Sequence, residues 1–270
     1  MKKALYGVWL GLVLLVLYVP ILILAFYSFT DATMVGGPIS SGSLENYANL
    51  FKNEDLRSMI VGTILLALGS ALIATILATL GAIGAFYSKR TIKGLINTAN
   101  QIPVVNADVV TGFSICVLLI ILFGINKDSY VPLVIGHVVL CAPFVYLSIL
   151  PKLKQLDNNL YEAALDLGAT PAQALFKVVI PQLIPGILSG FMLAVTLSLD
   201  DYFITTYTKP STFDTISTYV VNATKGSQTD VKTALWALST LIFVIVVIFV
   251  VVMNVLSARR KEKNKDEKAY

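Results

Sequence analysis

MIVGTILLALGSALIATILATLGAIGAFYS, from Met59 to Ser88, runs thirty residues without a charged side chain. A helix rises about 1.5 Å per residue, so roughly 20 apolar residues cross the ~30 Å hydrocarbon core of a bilayer. This stretch crosses it with residues to spare. Five more uncharged runs flank it: Leu5–Phe29, Val109–Asn126, Ser129–Pro151, Val178–Leu199 and Thr233–Ala258. Only 13% of the 270 residues are charged and 56% are hydrophobic, where soluble domains carry about twice that charge. A soluble fold would have to bury six such runs with too little polar surface to cover them. The sequence therefore predicts an all-α membrane protein, one transmembrane domain over 1–270 with about six spans near 5–29, 59–88, 95–126, 130–151, 183–207 and 233–258.

The first run is too long for a signal-peptide core and lacks a small-x-small cleavage site, so it is read as an uncleaved helix. In the second, Ala67 and Ala71, then Ala74, Ala78 and Ala82, recur at helical spacing with Gly81 and Gly84 nearby. Small residues at that spacing allow helix backbones to approach closely. Cys116 and Cys141 both lie in apolar runs, and a disulfide framework or paired metal site is not indicated.

Six crossings put both termini on one side. With the N-terminus inside, the inner segments hold Lys2, Lys3, Lys89, Arg90, Lys93, Lys152, Lys154, Lys177 and the basic tail Arg259–Lys268. They outnumber Lys52, Arg57, Lys127, Lys209, Lys225 and Lys232 outside. Basic residues favour the cytoplasmic side, so both termini are expected there. Glu262, Asp266 and Glu267 interrupt the tail, which argues against a nucleic-acid patch. Two outer loops are expected, at about Thr30–Arg57, irregular and rich in turn formers, and at Tyr207–Lys232.

The inner connection from Lys152 to Gln182 is patterned differently. Asn158 or Asn159 can cap a first helix over Tyr161–Leu167, and Gly168 is placed to end it in the left-handed conformation. Thr170 can cap a second helix, with Pro171 at its first position and Gln173 completing a capping box. Pro181 and Pro185 punctuate the re-entry into the membrane. The result is a helix–turn–helix over 155–181 with Ala163, Ala164, Leu167 and Phe176 as a packing face.

No G-x-x-x-x-G-K-[S/T] phosphate loop occurs, so the chain supplies no ATP site. His137, the only histidine, sits in an apolar run, where a packed, hydrogen-bonded core residue is expected. No catalytic residue and no metal site is assigned. Intramembrane acids are costly and usually functional, which singles out Asp108, after the helix-breaking Pro103, and Asp200-Asp201-Tyr202 at the end of the fifth run. No Lys or Arg in any span is placed to neutralise them. Facing a pathway they would attract a cation, with Tyr202, Phe203 and Tyr207 adding cation–π contacts; at helix ends they would be capping or solvated groups.

Glu162-Ala163-Ala164, three residues, Gly168, eleven residues, then Ile180-Pro181 resembles the EAA loop of ABC importer permeases. That family's pattern is Glu-Ala-Ala-x3-Gly-x9-Ile-x-Leu-Pro. Val178 and Ile180 replace its Ile and Leu and keep the apolar character. Ser198-Leu199-Asp200-Asp201, Ala107-Asp108-Val109-Val110 and His137 through Cys141-Ala142-Pro143-Phe144-Val145 are similar to the spermidine/putrescine permeases within it. The resemblance implies a MetI-like bundle in a bacterial inner membrane, with Glu162, Ala163, Ala164, Gly168 and Pro181 coupling it to an ATPase. It also implies the partners: an ATPase subunit dimer carrying ATP and Mg, a second homologous permease, and an extracytoplasmic polyamine-binding protein. This chain would bind no cofactor and catalyse no reaction. The other substrates open to such a permease are a metal ion or thiamine; an anion would call for Arg or Lys in the spans. A secondary transporter should show repeated broken helices, and none is visible.

Overall fold

The computed structural model describes residues 2–34, 36–157, 159–225, 233, 235–244 and 247. They fall into two compact units, Met1–Arg57 with Val220–Tyr270, and Ser58–Tyr219. The elements in chain order are α1 (Lys2–Ser28), α2 (Glu45–Lys52), α3 (Glu54–Tyr87), α4 (Arg90–Val105), α5 (Asp108–Val117), α6 (Val131–Gln155), α7 (Asn159–Asp166), α8 (Pro171–Ala174), α9 (Ile180–Asp200), α10 (Phe203–Thr208) and α11 (Ile216–Lys225). A π-helical turn Leu118–Leu122 extends α5, and another, Leu175–Val179, joins α8 to α9. No β-strand occurs among the described residues; a single isolated bridge pairs Thr30 with Gly42.

Four described helices are long and apolar enough to cross a membrane: Trp9–Ser28, Leu56–Tyr87, Val131–Gln155 and Pro171–Asp200. They overlap the expected first, second, fourth and fifth spans. The third span differs from expectation. It is not one helix over 95–126 but two, Arg90–Val105 and Asp108–Leu122, meeting at 108°. Pro103 is not the breaker either, because α4 runs through it. The chain turns at Asn106 and Ala107, both extended, and Asn106 Nδ2 donates to Thr111 Oγ1 across the bend at 3.1 Å. The fifth span ends at Asp200 rather than running on to 207. Of the sixth, Leu235–Val244 is an apolar helix, and the rest of 233–258, like the basic tail, lies almost wholly outside the described residues.

In the first unit, the helix Leu235–Val244 packs on α1 through Tyr18–Phe243 and Tyr27–Trp236 ring contacts, with centroids 6.4 and 6.1 Å apart. Buried Ser28 ties the pair together. Its hydroxyl lies 2.9 Å from the Tyr47 hydroxyl and accepts from Thr240 at 3.3 Å. The loop after α1 is irregular, as its turn formers predict. It is pinned where Asp31 Oδ1 accepts the Ser40 and Ser41 N–H groups at 3.0 and 3.2 Å. Those bonds, led by Ser41, hold the Asp31 carboxyl below the usual carboxylate range.

The second unit is built on α3, α6 and α9. Ala71, Ala74, Ala78 and Ala82 are all buried, in one cluster with Cys141, Val145, Tyr146, Ile149 and Leu153 of α6 and Leu183 and Ala194 of α9. In a bilayer this contact draws on van der Waals packing, because lipid tails are as apolar as leucine. The close approach of α6 and α9 rests on a glycine pair one turn apart. A Cβ added at Gly190 would stand 3.0 Å from Val145 Cγ1, and one at Gly186 2.9 Å from Lys152 Cγ. Gly81 and Gly84, which lie near the alanine row of α3, have nothing within 4 Å of an added Cβ.

Candidate functional site

The coupling-type segment is folded by its own sequence. Asp157 Oδ1 accepts the Asn159 N–H at 3.0 Å and starts α7. Asn159 is thus the first helical residue rather than the cap, and Asn158 lies outside the described residues. At the other end Gly168 has φ +85°. The Ala169 N–H bonds back to Ala164 O at 3.1 Å and the Gly168 N–H to Leu165 O at 2.9 Å, a Schellman closure. Thr170 then caps α8 reciprocally. Its hydroxyl accepts the Gln173 N–H at 3.3 Å, and Gln173 Oε1 accepts the Thr170 N–H at 3.0 Å.

The expected packing face does not pack inside the chain. Leu167 is 90% exposed and Phe176 66%; Glu162, Ala163 and Pro181 are also exposed, and Ala164 is half-buried. What holds α7 to the bundle is Tyr161, stacked on Tyr87 at the end of α3 with ring centroids 5.1 Å apart. The second half is not a separate surface helix. α8 passes through the π turn into α9, so Pro181 lies inside a rod that is continuous from Pro171 to Asp200.

The acids separate by environment. Asp201 is buried and partnered, in the capping arrangement that the sequence leaves open beside a cation path. Its Oδ1 accepts the Ile204 N–H at 3.3 Å, and Oδ2 accepts the Thr205 N–H and hydroxyl, each at 2.7 Å. His137 Nε2 stands 3.8 Å from Oδ2. His137 is fully buried, as expected, with Nδ1 2.7 Å from Ser198 Oγ and Nε2 3.0 Å from Thr205 Oγ1. Asp200 and Asp108 are exposed, and neither is ion-paired among the described residues. Tyr202 is half-buried, edge-on to Phe203 at 5.3 Å.

Glycine brings α5 into this corner. A Cβ at Gly112 would lie 2.9 Å from Ile204 Cα, and one at Gly136 of α6 2.7 Å from Ile204 Cγ2. Ile204 therefore occupies a notch between α5 and α6, and Asp108, four residues before Gly112, stands on the same face of α5. Beyond α10, Asp128 Oδ1 accepts from the Ser211 hydroxyl and N–H at 2.7 and 3.2 Å. That contact draws the Asp128 carboxyl below its ordinary range. These partners lie outside any motif, and no spacing in the sequence pairs them. Among the described residues no cluster could hold a metal ion.

Residues 78–263 match the family described as the binding-protein-dependent transport system inner membrane component. The chain belongs to this family. It is 33% identical over 201 residues to the putrescine transport system permease protein PotI of Escherichia coli K12, covering 71% of this chain and 69% of that one. It is 28% identical over 247 residues to the spermidine/putrescine transport system permease protein PotC of Haemophilus influenzae, covering 90% and 92%. The fold matches a chain of a bacterial alginate ABC transporter crystallised with an alginate pentasaccharide-bound periplasmic protein, with a TM-score of 0.70, 18% identity and 92% of each chain covered. The protein is thus a multi-pass membrane permease subunit of an ABC importer, with the MetI-like fold.

Proposed function

We propose that this permease carries polyamines of the spermidine/putrescine class into the cell, driven by a separate ATPase. The observation that carries the substrate reading is a pair of exposed carboxylates without an ion pair among the described residues, Asp108 at the start of α5, which packs on Ile204, and Asp200 at the end of α9, four residues before Ile204. A polyamine is a chain of ammonium groups with methylene spacers. Carboxylates with neighbouring rings such as Tyr202 and Tyr207 suit both parts of it. The named functions of the relatives support the same class.

The exposed Ala163, Leu167 and Phe176 are the surface offered to an ATPase dimer, which would hold ATP and Mg; Glu162, Gly168 and Pro181 frame it. A second homologous permease and an extracytoplasmic polyamine-binding protein complete the importer. The basic-residue distribution supports a bacterial inner-membrane location with both termini cytoplasmic. In intact cells, an impermeant thiol reagent should then label cysteine at Ser41 and spare cysteine at Leu167; the reverse pattern overturns this orientation.

The substrate test is uptake of labelled putrescine and spermidine by the assembled importer. Asp200→Asn should cut uptake at least about tenfold, equivalent to ~1.4 kcal/mol, at normal membrane abundance. Asp214 pairs with Lys209 at 2.9 Å and Glu54 with Arg57 at 3.9 Å, so exposed Glu45, replaced by Gln, is the better control. Unchanged uptake by an Asp108→Asn, Asp200→Asn double variant would sink the polyamine path. Leu167→Asp should abolish co-purification of the ATPase.

A further inference from the structure

Asp200 and Asp201 are adjacent in sequence, yet Asp200 is exposed while Asp201 is buried with both carboxylate oxygens accepting hydrogen bonds. Both oxygens of Asp201 are engaged with the first turn of α10, which would otherwise leave N–H groups unpaired in the membrane. The chain continues inward. Thr205 has a single hydroxyl proton and points it at Asp201 Oδ2, so towards His137 Nε2 its oxygen can only accept. Nε2 therefore carries a proton and donates it to Thr205, and the other ring nitrogen closes on Ser198. The four side chains come from α6, the end of α9, the α9–α10 break and α10. None is more than 8% exposed. A cation ligated by Asp201 would compete with the two backbone N–H groups that its carboxylate satisfies, and a buried donor left unpaired is costly.

We infer that Asp201 is a positioning residue and not a ligand of the transported cation. With Thr205, His137 and Ser198 it locks the α9–α10 corner, and the lock presents the exposed Asp200 to the path. The inference builds on the polyamine reading, and it changes what Asn reports at the two positions. At Asp200, Asn removes a charge. At Asp201 it also replaces one of two accepting oxygens by an NH₂ facing a donor, so a loss there is not a measure of substrate contact.

The test uses the complete importer in proteoliposomes, with uptake kinetics and the melting temperature of the purified complex as separate readouts. Asp200→Asn should raise KM for putrescine about tenfold at unchanged kcat and melting temperature. Asp201→Asn and Thr205→Val should lower the melting temperature and kcat while KM stays within about twofold. Thr205→Ser keeps the hydroxyl and should restore both. An Asp201→Asn variant with raised KM and an unshifted melting temperature overturns the proposal. If Asp201→Asn does not assemble, equal behaviour of Thr205→Val and Thr205→Ser overturns it instead. If Asp200→Asn leaves KM untouched while the corner variants still lose melting temperature, the polyamine reading of Asp200 fails and the lock stands.

Discussion

The α7–α8 turn and the α9–α10 corner both redirect the chain sharply, and they are held by opposite means. The first is closed by bonds between residues no more than five apart, around Gly168 and Thr170, and leaves Leu167 and Phe176 in the open. At the second, His137 reaches Ser198 and Thr205, 61 and 68 residues away in sequence, and the four side chains of the lock are all buried. A turn held by its own neighbours can be pushed by a partner and keep its shape. A corner held by distant partners cannot change without disturbing the packing of three helices. A coupling surface suits the first arrangement, and a fixed point for a substrate-facing carboxylate suits the second.

Substitutions should separate the two. The largest effect is expected at the corner, where Gly136→Val drives a side chain into Ile204, 2.7 Å from the added Cβ. Overpacking of this kind costs about 1–3 kcal/mol or more, so the melting temperature and yield of the complex should both fall. Gly168→Val comes next. Nothing lies within 4 Å of its Cβ, so the strain is conformational only, at φ +85°, and costs about 1–2 kcal/mol in the left-handed region. The chain should insert and lose less melting temperature than Gly136→Val, yet lose ATPase association and uptake. If it melts as early as Gly136→Val, the turn is not autonomous and the contrast breaks. The smallest effect is expected from Thr170→Ala, about 1 kcal/mol of capping. It should weaken ATPase retention in a pull-down partially, with Thr170→Ser restoring it.

The same division decides what can be read without coordinates. Gly168, Thr170, Pro171 and Gln173 announce their turn because their partners lie within a few positions, and the conformations found are the ones their chemistry requires. The alanine rows of α3 are legible for a similar reason, since helical periodicity names a face. Asn106 was missed as the pivot of the third span because Pro103 is the louder signal. Proline removes one N–H, which a helix can tolerate, whereas Asn106 bonds across the bend to Thr111. The status of Asp201 was out of reach altogether. Capping and substrate binding ask for the same side chain, and only the arrival of Thr205 and His137 tells them apart. Gly186 and Gly190 carry no signal in the sequence, and only their closeness to Lys152 and Val145 gives their spacing meaning.

The continuity of the helical rod from Pro171 to Asp200 makes it a lever in the mechanical sense. Thirty residues at about 1.5 Å each give a beam of ~45 Å, which ends at the Gly168 turn on one side and at the locked Asp201 corner on the other. Its tightest contact with α6 is the glycine pair Gly186 and Gly190, which leaves arms of about 25 Å towards Pro171 and about 18 Å towards Asp200. A stiff beam on such a fulcrum returns a sideways push at Phe176, about 18 Å from it, as a movement of similar size, in the opposite direction, of the carboxylate at its far end.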